Sequence, residues 1–361
     1  MSRRWQDPLA PLETPRQGHV GDAAQRLAYP PGVPRLASRR EVLARAAKLG
    51  LAAAGFGAAW AAMRDPLGEG ALERPEVVRL PEGGFAVAEK AGLPKLVVVH
   101  GTDALAMLRA GLDALGGIGR FVSAGDRVIV KPNVAFDRSP ALGATTSPDV
   151  LAAAVRLFRA EGASEVRVLD NPINSPEGCF HRSGIARAAG EAGARLILPD
   201  PVHFRTLEVP GAELIARWPM FYRPFADATR VVGISPLKDH NLCSASMTMK
   251  NWYGLLGGRR NQFHQRIHDI VSELAMMIRP TLVVLDATRV MMRNGPTGGS
   301  LSDVKRMDTL VLATDQCAAD AYGYETLLGR DPQKLPYLEL AEKRGAGNRN
   351  WRSVPMRELT V

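Results

Sequence analysis

"DRVIVKPN" (126–133), "SPDVLAAAVRLFRAEGA" (147–163) and "EVRVLD" (165–170) read in order as strand, helix and strand. The two outer runs are short, apolar and rich in β-branched residues, the pattern of strands buried on both faces. The middle run repeats its apolar residues at helical spacing. Ser147 stands as N-cap, Pro148 lies in the first turn and Gly162 comes near the end. This order is the building unit of a parallel sheet covered by helices.

The same alternation extends in both directions. Strands are expected at "KLVVVH" (95–100), "RLILPD" (195–200), "TRVVGISPLK" (229–238), "PTLVVLD" (280–286) and "DTLVLATD" (308–315). Helices are expected at "DALAMLRAGLDALG" (103–116), "SGIARAAGEAGA" (183–194), "NQFHQRIHDIVSEL" (261–274) and "QCAADAYGYETLLG" (316–329). The fold class is α/β, a mainly parallel sheet with helices on both faces, spanning 95–361.

Ahead of it lie an arm and signal segment (1–65) and a linker (66–94). Residues 1–37 are rich in Pro, Arg and Gly without periodicity. In "SRREVLARAAKLGLAAAGFGAAWAAMRDP" (38–66) the pair Arg39–Arg40 precedes an uncharged run from Leu49 to Met63. A basic start, a weakly apolar run and a small-residue end come in the order of a secretory signal. The twin arginines resemble a Tat signal, which is an address and not an anchor. The expected partner is therefore the Tat export machinery, and the expected location is periplasmic or exported. Ala59-Trp60-Ala61 fits a cleavage site; an uncleaved anchor in membrane contact is the alternative, as is an ordinary Ala-rich helix.

Of the net charge of +9, ten Lys/Arg and five Asp/Glu fall in residues 1–65, leaving 36 against 32 in the rest. No clustered basic stripe appears, so nucleic acid is not an expected partner. The three cysteines, Cys179, Cys243 and Cys317, are far apart and show no iron–sulfur spacing.

The strands end on polar residues: Lys131 and Asn133, Asp170 and Asn171, Lys238 and His240, Asp286, and Asp315. In open α/β sheets ligands bind outside the carboxyl ends of the strands, so these ends are expected to converge on one pocket. Just downstream of His240, "SASMTMKNWYGLLGG" (244–258) brings Lys250 and Asn251, which can hold an anion together with backbone N–H groups. His264 and His268, four apart, are expected on one helix face. Two histidines at that spacing can share a metal, although no glutamate lies between them as in zinc proteases.

These residues together resemble the domain of unknown function 362 family. The resemblance rests on "KPNV" (131–134), "TSP" (146–148), "LKDH" (237–240), "MKNWYGLLGG" (249–258), "FHQRIHDIVSELAMMIRPTLVVLD" (263–286), "NGPTGG" (294–299) and "LATDQCAADAYG" (312–323). It implies that Lys131, Asn133, Lys238, His240, Lys250, Asn251, His264, Asp286 and Asp315 are characteristic polar positions. Some relatives carry a ferredoxin-like cysteine cluster, which this chain lacks. The resemblance implies no established reaction.

Two functions fit these residues. One is an enzyme for a small anionic substrate, a carboxylate or phosphate, held by Lys131, Asn133, Lys238, Lys250 and Asn251. In it His240 or His264 carries the proton, and Asp170, Asp286 and Asp315 hold a divalent metal or orient the histidine. The other is a non-catalytic ligand-binding or redox-accessory protein of the periplasm. The export reading predicts that replacing both Arg39 and Arg40 by lysine leaves the protein in the cytoplasm, as fractionation and immunoblotting would show; normal export of that variant contradicts it.

Overall fold

The computed structural model describes residues 38–63 and 76–361. The arm at 1–37, the last two residues of the expected signal segment (64–65) and the start of the expected linker (66–75) lie outside them. The chain divides into the units Met1–Arg64 and Asp65–Val361. In the first, helix α1 (Arg39–Met63) opens with a capping box. The Ser38 N–H donates to Glu41 Oε2 (2.9 Å) and the Glu41 N–H returns to Ser38 Oγ (3.3 Å), so Arg39 and Arg40 occupy the first helical turn. No helix among the described residues is long and apolar enough to cross a membrane.

The described residues of the second unit form twelve strands, numbered in chain order. They are β1 (Val77–Val78), β2 (Leu96–His100), β3 (Arg127–Lys131), β4 (Glu165–Leu169), β5 (Arg195–Ile197) and β6 (Phe204–Glu208), then β7 (Arg217–Phe221), β8 (Arg230–His240), β9 (Ser244–Ser246), β10 (Leu282–Met291), β11 (Val304–Ala313) and β12 (Met356–Thr360). The helices are α2 (Ala104–Ala114), α3 (Pro148–Ala160), α4 (Pro176–Arg182), α5 (Ile185–Glu191), α6 (Thr248–Asn251), α7 (Ile267–Met277), α8 (Gln316–Tyr322) and α9 (Pro336–Lys343).

The main sheet has the order β12-β2-β11-β10-β8-β3-β4-β5, with β9 folded back on β8. All of the main path runs parallel except β11, which is antiparallel to both β10 and β2. A second sheet, β1-β6-β7, lies apart from it. Strand β1 and the buried Phe85 both belong to the segment 66–94 that the sequence suggests is a linker.

Both faces of the main sheet are buried, which is why its strands read as unbroken apolar runs. Val97, Val99, Val128, Val130, Val232 and Val284 face α2, α3 and α5. Leu96, Val98, Ile129, Val231, Val283 and Val311 face the other way, toward the core of α7, α8 and α9. Alternation along a strand thus serves two cores at once.

Two expectations change here. The expected strand 308–315 is β11, but it returns from β10 through a short connection (292–303) that holds a single 3-10 turn and no crossover α-helix, and so runs antiparallel. Its end at Ala313 lies opposite Leu96 and Val283, near the starts of β2 and β10. The expected helix 261–274 begins only at Ile267, because Arg260–Arg266 forms a 3-10 segment and Arg266 has φ −123° and ψ 48°. His264 therefore stacks on Tyr253 and His268 on Tyr337, so the pair does not share a helix face.

Gly233 in central β8 leaves room for the buried Trp252, since a Cβ there would stand 2.6 Å from the indole ring. Gly233→Ala is expected to lower stability by about 1–3 kcal/mol in urea unfolding, with an unchanged slope, because the indole has no space to retreat.

Candidate functional site

At the carboxyl ends of β3, β4 and β8 a buried polar cluster sits where apolar packing would be expected. Its centre is an ion pair, Lys131 Nζ to Asp170 Oδ1 at 2.7 Å, with both side chains 1% exposed. The ammonium donates further to the Pro132 carbonyl (2.7 Å) and to Asn251 Oδ1 (2.8 Å), which uses all three protons. Asp170 accepts from the backbone N–H groups of Val134 (2.7 Å) and Asn171 (2.9 Å). Burial, only partly offset by Asp170, lowers the Lys131 amine to about 8.

Two amides knit the neighbouring strands to this pair. Asn251 Nδ2 donates to the Lys131 carbonyl (3.0 Å), and Asn133 Nδ2 donates to Asn251 Oδ1 (3.3 Å). Thr146 secures the incoming loop: its hydroxyl accepts from the Asn133 N–H (2.8 Å) and donates to the Ile234 carbonyl (2.7 Å). Lys238 reaches from β8 into the same cluster. Its ammonium donates to the Ala144 carbonyl and to Asn133 Oδ1 (3.3 Å) and lies 5.0 Å from the centre of the Phe136 ring. It has no carboxylate partner among the described residues. Burial first, then Lys250, lowers its amine to about 7.

Lys250 is half-buried on α6, with its ammonium 5.2 Å from the centre of the Tyr253 ring. Among the described residues nothing else pairs with it. His264 stacks on the same ring, with centroids 5.6 Å apart and an interplanar angle of 6°. His240, at the end of β8, accepts the Leu242 N–H at Nδ1 (3.1 Å), so its proton rests on Nε2. Burial, then Lys250 and Lys238, lowers the His240 imidazole to about 2, and burial also lowers His264.

Sequence reasoning missed two residues of this cluster. Arg260 spans it, donating to the carbonyls of Leu256 (3.1 Å), Asn171 (2.8 Å) and Pro172 (3.0 Å). Gly254 supplies emptiness: a Cβ there would fall 2.0 Å from Asp170 Oδ1 and 2.8 Å from Lys131 Nζ. The first glycine of "YGLLGG" is thus required by the ion pair beneath it.

The carboxylates expected to hold a metal do not come together. Asp170 serves Lys131. Asp286 accepts from the Ser147 N–H (2.8 Å) and from the Thr288 N–H and hydroxyl (3.0 and 2.6 Å), which anchors the start of α3. Asp315 follows the antiparallel β11 and lies at the opposite edge of the sheet, where it caps α8 through the Ala318 N–H (2.9 Å) and accepts the Asn348 N–H (2.9 Å). Among the described residues no group of three or more His, Cys, Asp or Glu is placed to share an ion. The three cysteines are buried and unpaired.

The sequence profile of the family described as Domain of unknown function (DUF362) matches residues 128–325, which carry every residue of the cluster. The chain is also 28% identical over 254 residues to a thylakoid-associated protein of Synechocystis sp., covering 67% of this chain and 75% of that protein.

Removing one charge of a buried pair strands the other. Asp170→Ala is expected to cost about 3–5 kcal/mol in chemical unfolding. The double variant Lys131→Met/Asp170→Asn, which leaves no unpaired charge, is expected to be the more stable of the two.

Proposed function

Since the chain belongs to the domain of unknown function (DUF362) family, which carries no established reaction, we propose from its cluster that it is an enzyme acting on a small anionic substrate, a carboxylate or phosphate. The observation that carries this reading is the charge balance. Lys131, Lys238 and Lys250 lie within electrostatic reach of one another, Arg260 within reach of Lys131 and Lys250, and Asp170 is the carboxylate that faces Lys131, Lys238 and Arg260. Such an excess of cations in a low-dielectric place is costly unless an anion joins it.

The parts divide the work. Lys131, Asn133 and Asn251 are saturated with mutual bonds and form a fixed frame. Lys250 has an uncommitted ammonium and is the group to grip the anion. His240 offers Nε2–H as a neutral donor. It is a poor proton carrier, because its Nδ1 is engaged and its imidazole stays uncharged. Lys238 is the better one, since its amine exchanges a proton near neutrality. Asp286 acts at a distance by fixing the loop from Ala144 to Ser147.

Export belongs to the same proposal. The capping box sets Arg39 and Arg40 at the start of α1, and the relative's thylakoid association supports a chain that meets a membrane through its N-terminal segment.

The test is thermal unfolding with citrate and succinate between pH 6.5 and 9.5, followed by identification of ligands retained on the purified protein. Wild type should gain about 3 kcal/mol at a hundredfold excess of anion over its dissociation constant, and Lys250→Ala should lose most of that gain. The increment should shrink as pH rises through about 7 to 8, where the Lys238 and Lys131 ammonium groups lose their protons. Without anion the trend reverses. The unfolded chain keeps its lysines protonated to about pH 10, so folding releases protons and stability rises over that window. Lys238→Met should bind the retained ligand without converting it. Indifference of wild type to every anion at every pH removes the anion site; conversion by Lys238→Met at the wild-type rate removes Lys238 as proton carrier.

A further inference from the structure

The motif "LATDQCAADAYG" (312–323) supplies Asp315, which lies away from the cluster, yet the same motif reaches the cluster by another route. Helix α8 starts at the amino edge of the sheet under the Asp315 cap and carries two buried polar side chains, Gln316 and Asp320. Asp320 is fully buried and has no cation beside it among the described residues. Its carboxylate accepts the Thr248 N–H (2.8 Å), the Thr248 hydroxyl (2.5 Å) and the Met249 N–H (3.2 Å). Gln316 Oε1 accepts the Trp252 indole N–H (2.9 Å), while its amide donates to the Ala275 and Ile278 carbonyls (2.8 and 3.2 Å). One helix therefore grips the chain at 248–249 and again at 252. Between the grips stand Lys250 and Asn251.

We propose that Asp320 is a positioning residue of the anion pocket: it fixes the turn that holds Lys250 over Tyr253 and delivers Asn251 to Lys131. This inference rests on the reading of the cluster as an anion pocket and adds to it a means of regulation. All the groups that Asp320 meets in the turn are donors, so the turn is held fully only while the carboxylate is ionised. Protonation withdraws one acceptor oxygen and loosens the turn. Burial raises the Asp320 carboxyl to about 7, so the change falls near neutrality. The titratable neighbours are Tyr337 from α9, Cys317 from α8 itself, and Cys243 and Tyr324 close to Tyr337. Burial keeps the Tyr337 phenol and the Cys243 and Cys317 thiols protonated, so none of these three competes for the transition.

The experiment reads Lys250 directly, apart from any ligand. Lysines are reductively methylated with 13C, the Lys250 resonance is assigned with Lys250→Arg, and spectra are recorded from pH 5.5 to 8.5 for wild type, Asp320→Asn and Thr248→Ala. In wild type the resonance should show the ring-current shift of Tyr253 and respond to pH with a midpoint near 7. In Asp320→Asn the shift should be largely lost at every pH; in Thr248→Ala, which keeps the titrating carboxylate, it should be clearly reduced; and in both the dissociation constant for citrate should rise at least tenfold. Thr248→Ala removes one donor and keeps the carboxylate, so it decides the matter alone if Asp320→Asn does not fold. A wild-type Lys250 resonance in the variants that fold overturns the proposal. A displaced resonance in protein whose wild type never binds citrate upholds the positioning role and overturns the anion reading instead.

Discussion

A charge inside a protein must be answered within a few ångströms, and the pair Lys131–Asp170 shows how far that demand spreads. Its ammonium needs three acceptors and its carboxylate needs donors. The chain meets these needs with the end of β3, the end of β4, the Asn251 turn and the backbone at Val134 and Asn171. Gly254 has no side chain because the pair fills that space. Arg260, in turn, ties the Gly254 segment to the loop after β4. Strand ends distant in sequence are thus tied to one another by an ion pair and its hydrogen bonds in addition to the sheet itself. A frame of this kind gains little net stability from its ion pair, and its return is definition of geometry.

The cations beyond that frame differ in kind. Lys131 has every proton engaged, Lys238 is bonded only to neutral oxygens, and Lys250 rests on an aromatic face. This graded commitment is the basis on which the proposed roles are divided among them. The low-dielectric surroundings that lower the Lys238 amine also strengthen any anion contact made there.

Much of this was legible in the sequence, and the limits have physical causes. Strands buried on both faces announce themselves as apolar runs, so β2, β3, β4, β8 and β10 are found near their expected places. Strand direction leaves no such mark. Whether β11 runs up or down depends on whether its connection is a crossover or a reversal, and Asp315 moved to the other edge with it. Local periodicity also failed at His264 and His268, where a 3-10 segment breaks the register that four-residue spacing assumes. Lys131, Asn133, Asp170 and Lys238 stood out as polar residues at the ends of apolar runs, and Lys250 and Asn251 as a cation and an amide in the Gly-rich segment just downstream. Gly254 and Asp320 did not, since a missing side chain and a polar residue within a helical pattern signal nothing until their neighbours are known.

The margins of the main sheet carry a consequence of their own. One border is β5, three residues long; the other is β12, whose Arg357 and Glu358 are exposed. A brief strand offers little open backbone, and a charged one disfavours the pairing of a stray segment. A large sheet of strongly β-forming sequence is thereby protected from templating its own aggregation, and the protection is built from the residues that contribute least to its core.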